Sequence, residues 1–362
     1  MRSRVMKSVA VAMLAIASLG LSLSQATADT YNGSSRALWV MEFNFCGSDC
    51  PYPMPKTGAT DRSGGDTADK LTELEAKITT WQPHVVLLDE VCLAQLEQLI
   101  TDLSTTTWPM DAGPAVATST TYDGAHPPHY VSNLPVGFAA VDHRRTTDTA
   151  IPRAGCDRAT STGARTFGNA VLAVAGTPMS NRLEIPINVD ANNSPKGVQK
   201  GICVTLADEP YDTRVCLAHT SPDPLVMAPQ QIAYFYDTLA KSYGDGYPEI
   251  FAGDLNVKPG NDSLDELYDD AHGGYGTFEE ADQCDSGRPD HRLTCDENTK
   301  DNDGDGNTKL NKKIDFVFAS QYFFSADPAA STVNHSPYSD HGIYLASLTQ
   351  CSIFTTSGCP PD

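Results

Sequence analysis

The stretch Ile250-Phe251-Ala252-Gly253-Asp254-Leu255-Asn256 sets three apolar residues directly before a glycine and two side chains with hard donor atoms. A short apolar run of this kind reads as a buried strand, and polar groups at its end sit where a rigid sheet can hold catalytic geometry. The pattern recurs along the chain. Val85-Val86-Leu87-Leu88 ends at Asp89-Glu90, Val215-Cys216-Leu217-Ala218 ends at His219, and Ile343-Tyr344-Leu345 follows Ser339-Asp340-His341-Gly342. These four ends predict polar groups converging on one edge.

Working outward gives the class of fold. Leu38-Trp39-Val40-Met41 reads as a first strand ending near Asn44. A helix opens around residues 64–66 with Asp66 or Thr67 as N-cap, carries Leu71, Leu74, Ile78 and Trp81 on one face, and stops at Pro83. A second helix after Glu90 has Val91, Leu96, Leu99 and Leu103 as its apolar stripe. Residues 105–166, rich in Thr, Pro, Gly and Asp, read as an irregular excursion with short strands, a place for substrate contacts. Strands resume at 167–174 and continue through Ile202-Cys203-Val204 and Val215-Cys216-Leu217, and an amphipathic helix over 230–243 feeds the Ile250 strand. After a second polar excursion over 273–313, Ile314-Asp315-Phe316-Val317-Phe318 is a strand with a carboxylate embedded in it. Such a group must be paired, hydrogen-bonded or protonated, because burying it alone is expensive, and this makes Asp315 a site candidate. The alternation of strand and helix gives an α/β class.

The first residues have another purpose. Arg2, Arg4 and Lys7 precede an apolar stretch from Val9 to about Leu23, and Ala26-Thr27-Ala28 has the form of a signal-peptidase site. Residues 1–28 are therefore expected to be a secretion signal, and residues 29–362 a single domain of a secreted, extracellular protein. A membrane anchor is the competing reading, but the run falls short of the roughly 20 residues a spanning helix needs. No second such run follows, so no integral membrane segment is expected once the signal is removed, and a monomer is.

The 362-residue chain has a formal net charge of -21 and 10 cysteines. That acidity argues against a basic, nonspecific polyanion-binding surface, yet leaves a phosphodiester substrate open, because clustered carboxylates that bind divalent cations reverse the local field. Cysteines in an exported chain read as a disulfide framework. Proximity suggests Cys46 with Cys50, Cys284 with Cys295, Cys351 with Cys359, Cys203 with Cys216 across a hairpin, and Cys92 with Cys156. Zinc is disfavoured, since no CxxC pair has a partner at finger spacing.

The strand-end residues are Asn44, Glu90, Asn169, His219, Asp254, Asn256, Asp315, Asp340 and His341. Mg2+, or Mn2+ in its place, takes oxygen ligands and retains waters, so Glu90 and Asp340 suit it, with Asn44 as an amide oxygen. Phosphoester hydrolysis also needs a proton acceptor for water and groups that stabilise charged oxygens, which the histidines and asparagines supply. Each residue has a bland alternative: His219 as a structural histidine, Asp340-His341 as a turn cap, Asp254-Leu255-Asn256 as an Asx turn, Asp315 paired with a buried Arg. Their joint occurrence favours a site.

In order along the chain, Phe43-Asn44, Leu88-Asp89-Glu90-Val91, Gly168-Asn169-Ala170-Val171-Leu172, Ala218-His219-Thr220, Gly253-Asp254-Leu255-Asn256, Ile314-Asp315-Phe316-Val317-Phe318 and Ser339-Asp340-His341-Gly342 resemble the endonuclease/exonuclease/phosphatase superfamily, the group of DNase I and the neutral sphingomyelinases. The resemblance implies a DNase I-like four-layer α/β/β/α sandwich and a phosphoester hydrolase dependent on Mg2+ or Mn2+. It implies Glu90 as principal metal ligand with Asn44 and Asp340, His341 as general base, and Asp315 as the carboxylate that orients it. His219 would protonate the leaving oxygen or hold the phosphate, Asp254 and Asn256 would serve the attacking water, the phosphate or a second metal, and Asn169 would help bind phosphate. One position departs from the family pattern: Asp89 stands where Gln usually precedes the metal glutamate, and a salt bridge to a neighbour is the expectation for it over a part in metal binding.

The substrate expected is nucleic acid, ahead of a phospholipid such as sphingomyelin. A phosphomonoesterase and a noncatalytic, metal-stabilised binding module are the further alternatives. A phospholipid enzyme would need an exposed apolar docking loop, for which Gln321-Tyr322-Phe323-Phe324 is the nearest candidate. Asp301-Asn302-Asp303-Gly304-Asp305-Gly306 alternates oxygen donors as an EF-hand loop begins, but Lys312 stands where that loop needs a bidentate Glu. The open readings there are a structural Ca2+ on Asp301, Asp303 and Asp305, or a solvated acidic loop.

Overall fold

The computed structural model describes residues 36–45, 65–116, 119–121, 129–131, 134–141, 167–187, 200–207, 212–222, 227–243, 248–269, 273–282, 299, 312–327, 330–336, 338–339 and 341–351. In chain order the elements are β1 (Arg36–Asn44), α1 (Gly65–Trp81), β2 (Val85–Cys92), α2 (Leu93–Leu103), β3 (Met110–Asp111), β4 (Ala115–Val116), β5 (Ser119–Thr121), β6 (His129–Val131), β7 (Leu134–Pro135), β8 (Phe138–Val141), β9 (Phe167–Val174), β10 (Met179–Pro186), β11 (Lys200–Leu206), β12 (Thr213–Leu217), α3 (Met227–Tyr243), β13 (Glu249–Asp254), β14 (Phe278–Glu280), β15 (Asp315–Ser320), β16 (Phe324–Ala326), β17 (Thr332–His335) and β18 (Gly342–Gln350).

The strands make two large sheets. One has the order β16-β18-β1-β2-β9-β3, with β17 also on β18 and β8 also on β9, and the other has the order β10-β11-β12-β13-β15-β14. β1 with β2, and β12 with β13, are parallel neighbours. Parallel neighbours need a crossover connection, which α1 and α3 supply.

Two-residue periodicity then sorts the apolar side chains into layers. Leu38 and Val40, Val85 and Leu87, Val171 and Ala173, Val215 and Leu217, Ile250 and Ala252, Val317 and Ala319, and Tyr344 and Ala346 interlock between the sheets. On the far side of the first sheet, Met41, Phe43, Val86 and Leu88 pack beneath Leu74 and Ile78 of α1 and Leu96 and Leu99 of α2. On the far side of the second, Cys216, Phe251, Phe316 and Phe318 pack beneath Ile232 and Phe235 of α3. The result is the four-layer α/β/β/α sandwich.

Local departures from the sequence reading have physical causes. Val91 belongs to β2, where it pairs with Gly168, and not to the stripe of α2. α2 is capped instead by Cys92, whose backbone N–H donates to Gln95 Oε1 at 2.9 Å. α1 already includes Gly65, which places Asp66 and Thr67 inside its first turn rather than at its cap. Phe324 is buried and Phe323 packs against the inter-sheet core, so this aromatic pair is core and not a docking loop. Cys203 and Cys216 face each other across β11 and β12 and form a disulfide. Cys92 and Cys351 are each also in a disulfide, with a partner among the residues not described, and Cys46, Cys50, Cys156, Cys284, Cys295 and Cys359 lie outside the described residues, as do residues 1–28, Asp340 and the Asp301, Asp303, Asp305 loop. No described helix is long and apolar enough to cross a membrane.

Candidate active site

Following the inward-facing positions to the strand ends leads straight to the polar cluster. On β1 the series Leu38, Val40 continues as Glu42 and Asn44; on β2 Val85, Leu87 continues as Asp89; β13 continues to Asp254, and β15 begins at Asp315. All five are buried. Because β9, β15 and β18 run antiparallel to the neighbours that bring these ends together, Asn169, Asp315 and His341 arrive at the same edge from their N-terminal sides.

Asp254 Oδ2 is where the two sheets meet. It accepts from Asn44 Nδ2 at 3.1 Å, and lies 3.6 Å from His219 Nε2 and 3.5 Å from His341 Nε2. The backbone N–H of Asp254 donates to Asp89 Oδ2 at 2.9 Å, and its Oδ1 accepts the N–H of Asn256 at 3.0 Å. That last bond is an Asx turn, so the local reading and the site reading of Asp254-Leu255-Asn256 both hold. Asn256 has a φ of 52° and donates from Nδ2 to Thr220 O at 3.0 Å, which steadies the loop after His219. Gly253 has a φ of 134°, and a Cβ there would stand 2.2 Å from Ala218 O. Only glycine lets the two strand ends approach this closely.

His341 is clamped from both ends. Its Nδ1 lies 2.9 Å from each oxygen of Asp315, and its backbone N–H donates to Ser339 Oγ at 3.1 Å, while Ser339 Oγ donates to Asn44 O at 2.9 Å. Ser339 thereby ties the histidine loop to β1, a role no sequence signal beyond its place in the motif announced.

Glu90 reaches the rim by a backbone device. Leu88 pairs with Ala170 and Val91 with Gly168, so Asp89 and Glu90 together oppose the single residue Asn169 in a β-bulge, and Glu90 adopts a φ of 56°. Bulges re-aim side chains beside active sites. Here Asp89 keeps its inward position while Glu90 remains partly exposed, with Oε1 3.6 Å from His219 Nδ1. Asn169 itself donates from Nδ2 to Lys200 O at 3.1 Å, holding β9 against β11.

The electrostatics are dominated by unneutralised carboxylates. Asp89 forms no salt bridge among the described residues, contrary to the expectation for it; Oδ1 has no hydrogen-bond partner. Burial pushes its carboxyl up to about 7, against the pull of His219 and the Asp254 N–H. Glu42, which sequence reading overlooked, is buried with neither carboxylate oxygen hydrogen-bonded, and burial followed by Asp315, Asp89 and Asp254 holds it well above the usual range. Like Asp315, Glu42 is an acid inside an apolar strand, which is itself a sequence signal for a site residue. Burial pushes the His219 imidazole down, but Asp254, Glu90 and Asp89 outweigh it and raise it overall.

This donor set fits a hard divalent cation. Orphaned carboxylate oxygens on Glu42 and Asp89 signal an excess of negative charge, and Lys313, the ammonium that acts on Glu42, is committed to Glu280 at 3.1 Å and Asp282 at 3.4 Å. Asp254, Asp315 and His341 each offer a ligand atom within 4.8 Å of the others. Asp315 already spends both oxygens on His341, which leaves Glu90 and Asn44 as oxygen donors that could serve an ion.

The profile of the Endonuclease/Exonuclease/phosphatase family matches residues 41–341. Solved structures share the fold. An endonuclease/exonuclease/phosphatase family protein from Bacteroides thetaiotaomicron superposes with a TM-score of 0.53 at 12% identity, covering 88% of this chain and 99% of its own. The human Nocturnin catalytic domain, with a bound sulfate anion, gives 0.52 at 13% identity, over 88% of this chain and 95% of that one. A mannosyl-6-phosphatase from Bacteroides thetaiotaomicron gives 0.52 at 14% identity, over 86% and 99%. No curated protein matches in sequence.

Proposed function

The chain belongs to the endonuclease/exonuclease/phosphatase family and is a phosphoesterase of that superfamily, and from this premise we propose that it is a secreted, Mg2+- or Mn2+-dependent phosphodiesterase acting on nucleic acid. The observation that carries the reading is the meeting of Asn44, His219 and His341 on Asp254 Oδ2, with Asp315 gripping the far side of His341.

In the proposed mechanism Glu90 and Asn44, with Asp340, would hold the cation, which would supply Lewis-acid polarisation of the phosphoryl group and offset developing charge. Asp315 accepts a hydrogen bond from the Nδ1–H of His341, and so fixes the tautomer with a lone pair on Nε2. That nitrogen takes a proton from the attacking water, which Asp254 and Asn256 orient. His219, favoured in its charged form by Asp254, Glu90 and Asp89, holds the phosphate and supplies a proton to the leaving oxygen. Asn169 assists with the phosphate from the opposite side of the bulge. Residues 1–28 would direct export.

A phospholipid substrate is less well supported, because the aromatic pair that could have docked to a membrane is part of the core. The test is a panel of DNA, RNA, sphingomyelin, inositol phosphates and sugar phosphates assayed with Mg2+, with Mn2+ and with EDTA. Metal-dependent cleavage of DNA or RNA is the expected result. Turnover confined to phosphomonoesters or to sphingomyelin would replace the substrate class, and no hydrolysis under any condition would overturn the reading.

A further inference from the structure

We infer that Thr299 is a positioning residue for the Asp315–His341 pair, acting through its hydroxyl. Thr299 is wholly buried. Its Oγ1 accepts the backbone N–H groups of Ile314 at 3.1 Å and Asp315 at 3.0 Å, while its carbonyl accepts the N–H of Gly342 at 2.7 Å. Its own N–H donates to Lys312 O at 2.9 Å. One residue therefore holds the first residue of β15, which is Asp315, and the first of β18, which follows His341.

The two strands lie in different sheets, so no ladder hydrogen bond fixes the distance between them. Thr299 replaces the missing ladder, because both lone pairs of its hydroxyl are used on one strand and its carbonyl on the other. Backbone donors buried without a partner are costly, and the bonds hold their geometry for that reason. The two-oxygen grip of Asp315 on His341 Nδ1 is what this bracing preserves.

The inference rests on reading His341 as the base, and the experiment separates the two. Thr299→Val keeps the shape and removes the hydroxyl; Thr299→Ser keeps the hydroxyl and removes a methyl. Kinetics on bis(p-nitrophenyl) phosphate with Mg2+ should show kcat about tenfold lower for Thr299→Val with KM within about twofold, since small misplacements of reacting groups act on the chemical step. Thr299→Ser should match the parent. The second readout is the downfield 1H NMR signal of the His341 Nδ1 proton, assigned by its loss in His341→Gln. It should shift or broaden in Thr299→Val and persist in Thr299→Ser. An unchanged kcat and an unchanged signal in Thr299→Val would overturn the inference, and so would a fall in Thr299→Ser as large as in Thr299→Val. If Thr299→Val does not fold, Thr299→Ala against Thr299→Ser carries the same contrast. If the parent protein hydrolyses nothing, the functional reading fails, and the NMR contrast still decides the role of Thr299.

Discussion

His341 Nδ1 lies 2.9 Å from both carboxylate oxygens of Asp315. Asp315 is also the direct cross-strand partner of Asp254, an arrangement of like charges that is unfavourable unless something stands between them. The imidazole does so, with Nδ1 on Asp315 and Nε2 3.5 Å from Asp254 Oδ2. Asp315→Asn keeps the shape but offers an amide donor to Nδ1, which favours the wrong tautomer. By analogy with a buried triad aspartate, kcat should fall by about 10³- to 10⁴-fold. Activity within tenfold of the parent, in a variant with an unchanged circular dichroism spectrum, would remove His341 from the role of base.

Glu90 is the carboxylate that the bulge presents at the rim. Glu90→Gln should weaken Mg2+ binding, measured by calorimetry, by about 10- to 100-fold or more, the range seen even for residues supporting a metal ligand. His341→Ala should abolish turnover while leaving that affinity within a few-fold. EDTA should abolish hydrolysis in the parent, and Mg2+ should restore it. Equal metal affinity in Glu90→Gln and the parent contradicts its place as principal ligand.

Asp89 gives the metal-free protein a pH dependence of known sign. Its carboxyl is held at about 7 in the fold against an ordinary 3.8. The folded protein therefore retains that proton more tightly than the unfolded chain, so the contribution is fully present below pH 3.8 and is lost as pH rises through about 7. In EDTA, Tm should decline across this window, and Asp89→Asn should flatten the decline. Mg2+ should raise Tm more at pH 8 than at pH 5. A decline as steep in Asp89→Asn as in the parent would assign it to other groups.

Gly253→Ala combines two penalties just before Asp254. The φ of 134° disfavours any Cβ, and that Cβ would meet Ala218 O at 2.2 Å. A loss of about 3 kcal/mol or more is expected, together with reduced activity as Asp254 moves. Gly176→Ala is the control, with a φ of 94° but nothing within 4 Å, and should cost about 1 kcal/mol with activity retained. Equal effects at the two positions would show that the close approach to Ala218 contributes nothing.

The strand ends were legible because burial on one face imposes a two-residue period, and a polar residue that breaks the apolar series stands out. Asp254, Asp315, His219 and His341 were visible in this way, and the disulfide between Cys203 and Cys216 from the closeness of the two cysteines across a hairpin. Glu42 carried the same signal unread. Val91 looked helical because it abuts an amphipathic stripe, and the bulge that keeps it in β2 leaves no mark in local composition. Thr299 sits in a polar segment where one threonine resembles another.

The sequence by itself determined the order of strands and helices and which faces are apolar, because side-chain period and hydrophobicity are properties of neighbouring residues. It also determined that acids and imidazoles would cluster, since so many apolar runs end in them. Only the tertiary structure decided that Asp254 Oδ2 is their meeting point, that Glu90 turns outward while Asp89 stays in, and that Thr299 spans two sheets. Those facts depend on register and on the packing of segments hundreds of residues apart, and a shift of one residue in either sheet would send every one of these side chains to the opposite face.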